Sequence, residues 1–251
     1  MVRSLLFLFI LFLSFDSNAQ GNAIYGKVAF PEVKRKIKVS RGTQYRNRLN
    51  QVKLEENRTP EIKPHEQVII SARPLDFNPT VTPTRASIAQ KNKTFIPNVI
   101  AVTQGSVVEF VNNDDFYHNV FSLTPKARFN IGRRKPGKAV SQTIAKSGII
   151  KIFCDIHPQM NAIIVSLETP YFSGLKEDGS YTLKNLPDGR YEVDFFHPTL
   201  SFPTTVVHVK GGVNKMHNFD QLVWVEDRDF QSLYVTTESC CTKNKGAGCE
   251  N

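Results

Sequence analysis

Ile149-Ile-Lys-Ile-Phe-Cys154-Asp-Ile-His157-Pro-Gln-Met160 is an apolar run that ends in a cysteine, with a histidine and a methionine following at three-residue intervals. The β-branched and aromatic side chains before Cys154 read as a buried strand, and Pro158 marks the loop that follows it. Cys-x2-His-x2-Met therefore falls on the connection to the next apolar run, Ala162–Leu167. Upstream, a second histidine follows the turn signal Asn112-Asn-Asp-Asp115, in Phe116-Tyr-His118-Asn-Val-Phe121.

Outward from this segment the same rhythm continues. Alternating or short apolar runs occur at Ile24–Phe30, Gln67–Ala72, Asn98–Val102, Ser106–Val111, Ser180–Leu183, Tyr191–Phe196 and Thr204–Val209. Turn signals separate them at Gln104-Gly105, Pro136-Gly137, Asp178-Gly179 and Pro187-Asp-Gly189. No stretch of useful length carries a helical period. The pattern predicts an all-β chain of short strands, as in a sandwich or barrel.

His118, Cys154, His157 and Met160 form a coherent donor set. One thiolate and two imidazoles are strong donors, and a thioether is a weak one. Together they suit copper in both oxidation states. A structural zinc site is the main competitor, and it would lack a good fourth ligand. Taken singly, Cys154 reads as a buried core cysteine, His118 as a turn histidine and Met160 as a gap-filler. The order and spacing make the joint reading the better one.

Residues Ile88–Leu167 resemble a cupredoxin domain, with ligand spacing similar to amicyanin and, more distantly, to plastocyanin and pseudoazurin. The stretch from Lys93 to Asn112 is similar to that family's early strands, and His118-Asn119 to its His-Asn pair. The resemblance implies a Greek-key β-sandwich holding one type-1 copper ion on His118, Cys154, His157 and Met160. It implies reversible one-electron transfer rather than catalysis, with electrons entering near His157. It also implies that Asn119 ties the two ligand loops together by hydrogen bonds. Asp155 stands where such loops carry a neutral residue; facing the metal, it would lower the potential, but the preferred reading is that it points to solvent.

From Thr169 the pattern changes. Asp178-Gly-Ser-Tyr-Thr-Leu183 and Asn185-Leu-Pro-Asp-Gly-Arg-Tyr-Glu-Val193 resemble the transthyretin-like, carboxypeptidase regulatory-like β-sandwich modules. Gly26-Lys-Val28 and Val68–Arg73 are similar to the first strands of such a module. The expected organisation is a signal peptide over 1–19, then N-terminal strands and a basic loop over 20–85, belonging to the second sandwich. A cupredoxin domain over 86–168, the second small sandwich over 169–222 and a cysteine-containing tail over 223–251 complete it. Whether the copper domain is inserted in the second module or stands in tandem with it stays open at this point.

Composition narrows the function classes. Arg3, the apolar run Leu5–Leu13 and Ser17-Asn-Ala19 have the layout of an export signal. The run is too short to span a bilayer. No cysteine near the cleavage site suggests lipid anchoring. The expectation is a periplasmic or secreted protein with no integral membrane segment in the mature chain. The net charge is +9 over 251 residues, but export argues against nucleic acid as the partner. Lys34–Arg58 holds nine basic residues against two acidic ones, and Phe116–Phe153 holds eight basic residues and no acid. That bias points to a redox partner with an acidic docking surface. The remaining histidines, His65, His197, His208 and His217, form no His-x-His pair of the multicopper oxidase kind, and no nucleophile motif is present, so the chain reads as a non-enzyme. Of the tail cysteines, Cys241 and Cys249 are a candidate disulfide across a glycine-containing loop. Copper storage, delivery or sensing without redox turnover is the alternative function, and an envelope scaffold with a vestigial site is a third.

Overall fold

The computed structural model describes residues 21–30, 63–212 and 215–224. The candidate export signal at 1–19, the basic stretch Lys34–Arg58 and Cys240, Cys241 and Cys249 lie outside the described residues. The described residues are all-β apart from a 3-10 turn at Pro64–Gln67. Among the described residues no helix is long and apolar enough to cross a membrane.

The chain opens with β1 (Asn22–Lys27) and β2 (Ile69–Pro74). Next come β3 (Arg85–Lys91), β4 (Thr94–Ile96), β5 (Val99–Thr103), β6 (Val107–Asn112), β7 (Phe121–Ser122) and β8 (Phe129–Asn130). β9 (Ala139–Thr143), β10 (Gly148–Phe153) and β11 (Asn161–Leu167) follow. The remainder is β12 (Phe172–Gly174), β13 (Ser180–Leu186), β14 (Gly189–Phe196), β15 (Leu200–Ser201), β16 (Thr205–Val209), β17 (Lys215–Met216) and β18 (Val223–Trp224).

Two sheets enclose the first core, in the orders β4-β3-β6-β9 and β5-β11-β10-β7-β8. Strand pleating explains which residues fill it. Along β10, Ile150 and Ile152 point inward and Cys154 continues the row, joining Ile88, Phe110, Met160 and Ile164 in one buried cluster. Ile149, on the opposite face of β10, belongs to a different cluster. The β10–β11 pair runs antiparallel from Gly148↔Ser166 to Phe153↔Asn161. Cys154–Met160 is therefore the closing loop of a hairpin.

The second core lies between sheets ordered β13-β1-β17 and β12-β2-β14-β16. Ile24, Ile70, Tyr181, Leu183, Tyr191, Val193 and Phe219 are buried together there. β1 pairs with β13, and β2 with β12 and β14, so strands before residue 75 and after residue 171 build the same sandwich. Gly26 permits one of these approaches, because a Cβ there would stand 1.8 Å from the His217 carbonyl oxygen.

A third cluster joins the two sandwiches. Val99, Ile149, Val165 and Leu167, from the outer face of β5-β11-β10, pack against Ile69 of β2 and Phe196 of β14. At roughly 1.5–3 kcal/mol for each fully buried large apolar side chain, this junction contributes substantially to stability. It backs the same hairpin whose tip carries Cys154.

Candidate metal centre

His118 sits on an irregular segment fixed by backbone pairing. Its amide donates to the Arg134 carbonyl at 3.2 Å, and the Arg134 amide returns a bond to the His118 carbonyl at 2.6 Å. The second loop is a tight turn. The Met160 amide donates to the His157 carbonyl at 2.9 Å, with Pro158 in the turn position its fixed φ favours. This turn lets His157 remain at the surface while Cys154 and Met160 enter the core.

The donor atoms of His118, Cys154 and His157 lie within 4.8 Å of one another. Cys154 Sγ is 3.8 Å from His118 Nδ1, and the two imidazole Nδ1 atoms are 3.2 Å apart. Metal–nitrogen and metal–sulfur bonds of about 2.0–2.3 Å in a trigonal arrangement would hold donors about 3.5 Å apart. The three side chains thus fit a single ion. His118, Cys154 and Met160 are buried and His157 is half-buried, so the centre has one solvent edge. Burial pulls His157 below the ordinary histidine range; the neighbouring His118 and Lys93 add to that, and Asp114 opposes it. Cys154 forms no disulfide among the described residues.

Asp114 is a participant that the sequence reading left inside a turn. Its carboxylate is buried and accepts from His118 Nε2 at 2.8 Å, the Asn92 amide at 2.7 Å and the Lys93 amide at 3.0 Å. Burial opposes its ionisation, but these donors, led by the Lys93 amide, hold its carboxyl below the usual range. A carboxylate placed four residues before a ligand histidine was the available signal. Phe116 also joins the site, with its ring 5.1 Å from that of His118 and 5.3 Å from that of His157. Lys93 Nζ stands 5.5 Å from the Phe116 ring.

Asn119 departs from the expected bridging role, and Asp155 points to solvent. Asn119 is buried, but its side-chain oxygen accepts from the adjacent Val120 amide at 2.7 Å. Among the described residues its hydrogen bonds do not reach the Cys154–Met160 loop, because a bond to the next amide turns the side-chain oxygen back on its own loop. Asp155 faces solvent, and its carboxylate lies 4.0 Å from the Arg133 guanidinium.

A family model for the ER membrane protein complex subunit 7 β-sandwich domain matches residues 155–238. No curated protein matches the chain. Parts of the chain are similar to a copper-containing nitrite reductase from Thermus scotoductus SA-01, with 25% identity and a TM-score of 0.33, covering 39% of this chain and 26% of that one. A purple cupredoxin from Nitrosopumilus maritimus shows 19% identity and a TM-score of 0.30, covering 33% of this chain and 99% of that one. Amicyanin from Paracoccus versutus shows 18% identity and a TM-score of 0.31, covering 33% and 81%. The chain thus spans about a quarter of the nitrite reductase. These likenesses are partial, and the chemistry of the site rests on its own donors.

Proposed function

We propose that this chain is an exported one-electron carrier whose copper ion is held by His118, Cys154, His157 and Met160. The observation that carries the reading is the convergence of two imidazole nitrogens and one thiol sulfur at the mouth of a buried β-sandwich core. Bound there, copper would supply the reversible Cu(II)/Cu(I) couple. The residues supply the rest. The β10–β11 hairpin fixes Cys154, the bridge to Arg134 fixes His118, and the Pro158 turn fixes His157. A frame held by strand pairing and core packing limits movement of the donors when charge changes.

The burial pattern favours electron exchange over delivery of the ion as cargo. Handing over a metal ion requires access to its ligands, and His118, Cys154 and Met160 are enclosed. An electron needs only the His157 edge. At that edge lie exposed Phe116, whose ring meets that of His157, and Lys93, with Arg133 paired to Asp155 of the ligand loop, an apolar face with a cationic rim that Asp155 partly offsets. This surface suits a redox protein with an acidic docking patch. We assign no catalytic role, and place the protein in the periplasm or outside the cell on the strength of its export signal.

Titration of the metal-free protein with Cu(II) tests the assignment. One equivalent should produce an intense visible thiolate charge-transfer band, and Cys154→Ser should abolish it. A colourless wild-type complex would refute the thiolate-bound centre.

A further inference from the structure

We propose that Asp114 is a positioning residue for His118: it selects the tautomer whose bare Nδ1 faces Cys154 and His157, and it sets a fixed negative charge one imidazole ring away from the metal. The inference rests on the metal-centre reading above and goes beyond it in naming what orients and tunes the enclosed histidine.

The geometry leaves Asp114 little freedom. One carboxylate oxygen takes the Asn92 amide, and the other takes the Lys93 amide and His118 Nε2. Its own amide donates to the Asn112 side chain at 3.0 Å. Asn112 in turn donates to the carbonyls of Phe116 at 2.8 Å and Arg134 at 3.0 Å. Since the Arg134 carbonyl also accepts the His118 amide, the loop that presents the histidine is tied at both ends.

The two turn amides are not aligned by accident. Asn92 and Lys93 form the two-residue connection between β3 and β4, with φ of 53° and 56°. Successive left-handed residues direct neighbouring N–H groups toward the same side, a concavity that suits an anion. Lys93 adopts this backbone without being glycine, so the turn is shaped around the carboxylate it receives.

A carboxylate only accepts hydrogen bonds. His118 must therefore carry its proton on Nε2, which leaves the Nδ1 lone pair directed at the other donors. The opposite tautomer would present an N–H to Cys154 and could not bind a metal through Nδ1. Outer partners of this kind orient ligands and raise their basicity. The added negative charge favours the more highly charged oxidation state of copper.

Asp114→Asn separates this role from a merely structural one. Asparagine keeps the size and one oxygen for the turn, but it lacks the charge. Relative to wild type, the variant should bind Co(II) about tenfold to a hundredfold more weakly, and its copper complex should have a more positive midpoint potential. A folded variant with unchanged Co(II) affinity and unchanged potential would overturn the proposal. If the variant does not fold, nitrogen NMR of the metal-free wild type decides: a proton on His118 Nε2 with Nδ1 unprotonated supports it, and a proton on Nδ1 overturns it. Wild-type protein that binds neither Co(II) nor Cu(II) would overturn the metal-centre reading along with it, whereas normal wild-type binding with an unaltered variant would remove only the role of Asp114.

Discussion

Met160 and His197 give the most separable predictions at the level of single residues. Met160→Leu keeps a buried apolar side chain of similar volume, so the metal-free protein should lose less than about 1.5 kcal/mol of stability. Loss of the thioether should raise the midpoint potential by withdrawing a weak donor from Cu(II); voltammetry of the variant beside wild type checks this. His197 is buried, its Nδ1 accepts from the Thr199 amide at 3.1 Å, and its Nε2 has no partner among the described residues. Burial pushes its pKa down to about 4, against about 6.5 in an unfolded chain. Between those values the unfolded chain takes up a proton and the folded chain does not. The stability contribution is therefore intact above about pH 6.5 and is lost as pH falls toward 4, by on the order of 3 kcal/mol in all. Urea titrations should show this slope diminished in His197→Phe; equal slopes would contradict it. Three of the four candidate donors were legible in the sequence because Cys-x2-His-x2-Met is a local spacing. Asp114 was not, since its meaning depends on a hairpin that lies 21 to 22 residues away in the chain.

Among the elements, the hairpin β10–β11 has one face in each of two clusters. Phe196→Ala removes a ring from the junction behind it and should cost about 3–5 kcal/mol, the usual range for a buried phenylalanine. If the junction couples the sandwiches, thermal unfolding should remain a single transition shifted downward in the variant. Two separated transitions already present in the wild type would show that the coupling is weak. Apolar patterning anticipated β10 to within a residue and β1, β2, β5, β6, β11, β13, β14 and β16 to within three residues. It missed the short strands β4, β7, β8, β12, β15, β17 and β18, and also β3 and β9. In β3 only Ile88 and Gln90 are buried, and the strand owes its place to parallel pairing with β6. β9 is a sheet edge without a fully buried residue, paired to β6 on one side. Such strands are set by tertiary partners, and a one-dimensional pattern does not register them.

For the whole molecule, the strand pairings enclose β3–β11 between two portions of the second sandwich. We propose that this arrangement is an insertion, which would hold the copper-binding hairpin on a broad support. The cationic rim at the opposite, solvent-facing end predicts that reduction by an acidic protein donor slows steeply as salt rises from 10 to 200 mM, roughly tenfold or more; stopped-flow rates independent of salt would count against the docking face. The central claim is that the chain keeps its metal while exchanging electrons. Repeated redox cycling of the copper-loaded protein tests it most directly, with bound copper and the visible band measured after each cycle. One electron per protein should pass reversibly, with the band bleached on reduction and restored on oxidation, and with copper retained. Release of copper on reduction, or failure of the band to return, would contradict the account.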